Sequence, residues 1–272
     1  MIELIGVLAI IAILAAIVTP SAVQQISRAI GSKENRNLEI LAEGLIRYIN
    51  TYQTIPGYTT WMTNVASVTG LNVSEVIRVN PNNTTNTRVY LIHPTFTPAN
   101  GANPLYSQEA AGANSVSDAR LLILSTTLPT LALPVSSGRA SSAPVFDAIW
   151  DWNYDPSTKA PPSDWPADWT NNAEHLHIQR INLSTLFQRL TFSNTQFSTN
   201  IPFAKFGNLS TSDFSLTNAV EAFYLQGTVV RLYKHDSPYD GTPPSDPDEL
   251  DVVHTVERSA NFVYQSGQWT MW

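Results

Sequence analysis

The chain has 272 residues and a formal net charge of −7, with 43% apolar and only 14% charged residues. The acidic balance, without any basic stripe, excludes a phosphate-backbone partner, so no nucleic acid is expected. The absence of cysteine excludes disulfides, a thiol nucleophile, iron–sulfur clusters and covalently attached c-type haem.

The apolar share is enough for a real core. Charged residues fall well below the usual share of about 25%, and Ser, Thr, Asn, Gln and Pro solvate the chain instead, which suits outward-facing β-rich surfaces. In chain order the first element is MIELIGVLAIIAILAAIVTP, apolar or Gly throughout Leu4–Val18 and preceded by Glu3. As a helix this run is a rod of about 27 Å, close to a bilayer core of about 30 Å. A secretory signal peptide would need a basic n-region and a small-residue cleavage site, yet no Lys or Arg precedes Arg28 and Pro20 spoils the best site, Ala22. A plain membrane anchor leaves Glu3 unexplained, because an acid near hydrocarbon is costly and usually has a purpose.

IELIGVLAIIAILAAIVTP resembles the N-terminal helix of type IV pilins and type II secretion pseudopilins. It matches in the acid, the apolar run and a proline seventeen residues after the acid. The resemblance implies removal of a short basic leader by a prepilin peptidase, and insertion in the inner membrane before assembly. It then implies incorporation, by inner-membrane assembly machinery, into an extracellular helical filament of identical subunits. On this resemblance the assembly residues are Glu3, Pro20, Leu4, Val7, Leu8, Ile11 and Leu14. A lone carboxylate in low dielectric needs a positive partner, and the resemblance supplies one in the α-amino group of a neighbouring subunit. The alternative is an acid at a helix N-terminus, favoured by the macrodipole. Glu3 stands two residues nearer the first residue than the family's acid does. The expectation is therefore either a start inside a longer precursor or an unusual processed end. A basic leader would also offset Arg28, Lys33 and Arg36, which the positive-inside rule would otherwise misplace.

Pro20 predicts an interruption, either a kink or a new helix with Thr19 as its cap, and the resemblance implies extended chain between Ala12 and Thr19. Gly31-Ser32 marks a second weak point. Leu38, Leu41, Leu45, Ile49 and Tyr52 recur at intervals of three and four, which predicts an amphipathic helix ending before Pro56. NLEILAEGLIRYINTYQTIPG resembles the pseudopilin pattern in which this helix lies against a β-sheet. Residues 1–54 are thus expected to form the pilin-like helix and residues 55–272 a β-rich outer domain. The expected fold class is α+β, a long hydrophobic N-terminal helix, interrupted near Pro20, packed on a mainly antiparallel domain.

Beyond Gly57 the helical periodicity fades. VIRVNPNNTTNTRVYLIHP suggests two strands around an Asn/Thr-rich turn. ARLLILS and VFDAIWDW read as strands, as does much of HLHIQRINLSTLFQRLTF. FYLQGTVVRLYKHD and NFVYQSGQWTMW are the clearest strands, the latter with a hairpin turn at Ser266-Gly267. DPSTKAPPSDWPADW and HDSPYDGTPPSDPDELD read as long surface loops.

The second of these loops gathers Asp236, Asp240, Asp246, Asp248 and Asp251, hard oxygen ligands that suit calcium. A calcium site in a late loop is also what the resemblance to the major pseudopilins implies. The spacing is not an EF-hand, and a solvated acidic loop is the competing reading. Trp150, Trp152, Trp165 and Trp169 stand in or beside the first loop, as they would for a sugar-binding face or a subunit contact; packing in the core or between subunits is the default. His175 and His177 fall on one side of a strand, short of a third metal ligand. No nucleophile elbow or partnered histidine is present, so the chain is expected not to be an enzyme. The function expected is a structural filament subunit. The alternatives are a secretion pseudopilin acting as a piston subunit and a membrane-anchored glycan-binding surface protein.

Overall fold

The computed structural model describes residues 2–78, 88–96, 107–109, 116–128, 130–195, 203–206, 214–215, 220–234 and 250–272, without the side chains of 2–21, 23, 107–109, 203–206, 214–215 and 220. Helix α1 runs over Ile2–Tyr52, followed by α2 (Trp61–Thr69), α3 (Val73–Ile77) and strands β1 (Arg88–Ile92), β2 (Ser107–Glu109), β3 (Arg120–Thr126) and β4 (Gly138–Arg139). Next come α4 (Ala143–Trp150), β5 (Leu176–Asn182), β6 (Phe187–Asn194), β7 (Phe203–Phe206), β8 (Phe214–Ser215) and β9 (Val220–Leu225). The chain then adds β10 (Val229–Tyr233), β11 (Leu250–Thr255), β12 (Ala260–Gln265) and β13 (Gln268–Met271).

Helix α1 corrects the expected fold class in two respects. It is one continuous helix of 51 residues, with no interruption near Pro20 or at Gly31-Ser32. The helix runs through Pro20 even though a proline there removes one N–H bond and crowds the carbonyl four residues back. Nor, over Gln24–Tyr52 where its side chains are described, is it a hydrophobic rod. From Gln24 to Tyr52 it carries Arg28, Lys33, Glu34, Arg36, Glu39, Glu43 and Arg47, and among the described residues no helix is long and apolar enough to cross a membrane. The stripe Leu38, Leu41, Leu45 and Ile49 is buried while Glu39, Ile40, Glu43 and Arg47 are exposed. This is the pattern of a helix packed along one side.

Helix α1 packs chiefly on α2 and on β5 and β3 of the first sheet; the domain has three sheets among the described residues, ordered β4-β1-β3-β5, β11-β10-β7-β8 and β13-β12-β6-β9-β2. Most pairings are antiparallel, but β4 joins β1, and β12 joins β6, in parallel. The first core gathers Leu38, Leu41, Leu45 and Ile49 of α1, Trp61 and Val65 of α2, and Tyr90, Leu121 and Ile123 of the first sheet. A second core lies on the largest sheet around Phe192, Phe262 and Trp269, with Phe192 and Phe262 stacked at 5.3 Å. A third, on the far face of the first sheet, packs Leu122 and Leu124 against Phe146 and Ile149. The alternation of Leu121–Leu124 between two cores explains why β3 is apolar on both faces.

VFDAIWDW, read as a strand, is helix α4 and its C-terminal end. Ser142 caps the helix by accepting the Val145 N–H at 3.5 Å, and Pro144 sits in its first turn, two start signals that outweigh the β-forming Val, Phe and Ile. FYLQGTVVRLY is not a simple hairpin, because β9 and β10 belong to different sheets. Gly227, between them, has φ +88°, and a Cβ there would come within 2.6 Å of Gln53 Nε2. The end of α1 is thereby seated on that turn. The β12–β13 hairpin does turn at Ser266 (φ 56°) and Gly267 (φ 80°), with Gln265 opposite Gln268, the left-handed pair a two-residue hairpin requires.

Candidate functional site

Two places where α1 meets solvent or the domain carry chemistry. The first is a buried clamp one turn before Leu38. Glu34 is only 2% exposed and takes Arg88 Nε at 2.7 Å on Oε1 and Arg88 Nη2 at 3.0 Å on Oε2. Arg78 Nη1 donates to Oε2 at 2.8 Å and Ser125 Oγ to Oε1 at 2.6 Å. Burial alone would raise the Glu34 pKa. The hydrogen bonds from Arg88 and Ser125, with the charges of Arg88 and Arg78, outweigh it and bring the pKa from 4.5 to about 2. Arg88 also donates to the Glu75 and Val76 carbonyls, locking α3 to β1. The clamp fixes the axial position of α1 against the first sheet. Sequence reasoning missed it, although Glu34 extends the Leu38–Leu41–Leu45 stripe back by four residues, and an acid on an apolar stripe demands a partner.

N-terminal to the clamp, the domain leaves the described side chains of Gln24–Ile30 uncovered. Every described side chain from Gln24 to Ile30 is exposed, including Ile26 at 60% and Ile30 at 45%. The backbone of Glu3, Leu4, Val7, Leu8, Ile11, Leu14 and Pro20 lies in the same helix. Their side chains lie outside the described residues.

The second place is a cleft of about 680 Å³. One wall is α1, through Ser27, Arg28, Gly31, Ser32 and Asn35. The other is formed by the loop after α4 and the start of β5, including Trp152, Tyr154, Glu174, His175 and His177. Gly31 allows the two walls to meet at the base, since a Cβ there would lie 3.1 Å from His177 Cε1. His177 Nδ1 pairs with Asn35 Oδ1 at 2.7 Å. Burial lowers its pKa, against the opposing pull of Glu34, so the ring is held neutral. His175 ends a short 3₁₀ turn over Ala173–His175, with Nδ1 3.2 Å from Thr127 Oγ1 and Nε2 3.7 Å from Glu174 Oε1. The two histidines do share a cleft, but among the described residues no group of three metal-ligating side chains is present.

The tryptophans are dispersed in role. Trp150 ends α4, stacked on Phe146 at 5.9 Å beneath the Arg120 guanidinium. Trp165 and Trp169 meet edge to face at 4.8 Å, and Trp169 is buried with its Nε1 donating to the Ala132 carbonyl at 3.2 Å. Trp152 alone of the four lines the cleft, accompanied by Tyr154. In the acidic loop, Asp236, Asp240, Asp246 and Asp248 lie outside the described residues. Asp251, in β11, accepts the Trp269 N–H at 2.6 Å and so ties β11 to β13.

No protein-family model, no curated protein and no solved structure matches the chain.

Proposed function

We propose that this chain is a structural subunit of a bacterial type IV pilus-like extracellular filament, polymerising through its N-terminal segment. The observation that supports it is the division of labour along α1. Its C-terminal part, Glu34–Ile49, is occupied by the subunit's own domain, while Gln24–Ile30 is exposed. Ahead of that stretch stands the sequence motif with Glu3 and Pro20 seventeen residues apart. At about 1.5 Å per residue the 51-residue helix is about 76 Å long.

On this reading the polymer is a helical homo-oligomer. Its subunits are processed by a prepilin peptidase, held at the inner membrane before assembly and inserted by inner-membrane machinery. Glu3 sets axial register against a neighbour's amino group. The chain performs no catalysis, and the outer domains form a polar sheath.

Electron microscopy of filaments sheared from cells, wild type against Glu3→Ala, tests the proposal. Filaments that contain the chain in the wild type and are scarce in the variant are expected. Wild-type cells with only dispersed, unpolymerised chain would refute it.

A further inference from the structure

We propose that the cleft between α1 and the loop after α4 binds a pyranose sugar, with Trp152 and Tyr154 as stacking platforms. The proposal goes beyond filament assembly and does not depend on it.

Both aromatic side chains line the cleft, their ring centroids 6.4 Å apart and tilted by 58°. Neither is spent on the core: Tyr154 is 37% exposed and Trp152 half-buried. Leaving two such faces at a polar surface forgoes the burial that aromatic rings elsewhere in this chain obtain. Each ring is also pinned at its polar end. Trp152 Nε1 donates to the Ala160 carbonyl at 3.0 Å, and Tyr154 Oη to Glu174 Oε2 at 3.5 Å. The loop that carries them is rigid in its own right. Arg180 donates to the carbonyls of Trp150 and Trp152, and Asp155 Oδ1 accepts the Ser157 N–H at 2.8 Å and its hydroxyl at 2.7 Å. A ligand stacking here therefore meets faces already in place, with little ordering cost.

The polar rim selects the ligand class. Glu174 offers an exposed carboxylate on one wall and Arg28 an exposed guanidinium on the other. Arg180 also lines the cleft, but its guanidinium is engaged with the Trp150 and Trp152 carbonyls, and a rim of mixed sign fits neither a polyanion nor a polycation. A pyranose presents an apolar C–H face for the rings and a rim of hydroxyls that both donate and accept. The volume of about 680 Å³ falls within the range of about 300–1,000 Å³ usual for small-molecule sites.

The test uses the full-length chain in a polyoxyethylene detergent, since sugar-based detergents would compete. Saturation-transfer NMR and calorimetry are run with the methyl glycosides of glucose, galactose, mannose and N-acetylglucosamine at millimolar concentration. At least one should bind, with affinity falling tenfold or more in Trp152→Ala. It should fall severalfold in Glu174→Gln, whose exposed position leaves folding intact. No signal from any glycoside would overturn the proposal, and so would binding unchanged in both variants. Self-association lost in Trp152→Ala, without sugar binding, would assign the cleft to a second copy of the chain instead.

Discussion

Glu34 and Arg88 face each other through two parallel hydrogen bonds of 2.7 and 3.0 Å, with 2% and 4% of their surfaces exposed. They join the long helix to a strand 54 residues away. Removing one member leaves the other charged and dry. Glu34→Ala is expected to destabilise the domain by about 3–5 kcal/mol, read as a shift in the urea midpoint. Replacing both with apolar residues of similar volume should recover much of that loss. Equal loss in the single and double variants would contradict this account.

Acid should release the same clamp. The folded pKa of Glu34, about 2, lies below its ordinary 4.5, so the unfolded chain binds the proton more readily. The contribution is complete above pH 4.5 and is lost as pH falls toward 2. Its size is about 3 kcal/mol at 1.36 kcal/mol per pKa unit. Unfolding curves from pH 6 to 2 should show this slope, and it should flatten in Glu34→Gln.

His177 titrates at a lower pH than an exposed histidine. Burial lowers its pKa from 6.5, so the unfolded state takes up the proton first. Its contribution to stability is present above pH 6.5 and disappears as pH falls through its lower folded value. In an NMR titration the Cε1 proton of His177 should move at a lower pH than that of a free imidazole. Substituting Asn35 with Ala should alter that midpoint.

Gly44 presents a case where helix propensity misleads. Alanine in a helix interior is favoured over glycine by about 1 kcal/mol, but here its Cβ would stand 2.4 Å from Thr69 Cγ2 and 3.2 Å from Val65 Cγ1. Overpacking costs about 1–3 kcal/mol, so Gly44→Ala should lower the melting temperature. In the double variant with Thr69→Ser the loss should largely vanish.

Local chemistry was readable wherever the signal lay within a few residues. The Leu38–Ile49 stripe and the Ser266-Gly267 hairpin are periodic or turn-encoded, and both stand in the structure. VFDAIWDW reads as a strand from its β-forming residues, and its helical start lies in Ser142 and Pro144, just ahead of that stretch. Sheet membership was not readable at all. β9 and β10 are separated only by Gln226–Thr228, yet they go to different sheets, while β6 pairs in parallel with β12. Pro20 predicts a break because proline usually makes one, yet the helix passes through it. Of the cleft, the sequence offered the histidines and Trp152. Bringing Asn35 against His177 required contact across 142 residues, which no local pattern encodes.

The parallel pairing of β6 with β12 places a strand between partners made at very different times. Ser193 meets Phe262 across 69 residues, so one side of β6 stays unpaired while the intervening chain is still emerging from the ribosome. The core that includes Leu38, Trp61 and Tyr90 draws mostly on earlier segments and can begin to close first. Phe192, by contrast, waits for Phe262 and Trp269. A nascent chain thus holds an open strand edge on β6 until β12 is synthesised, and that interval is when it most needs a chaperone.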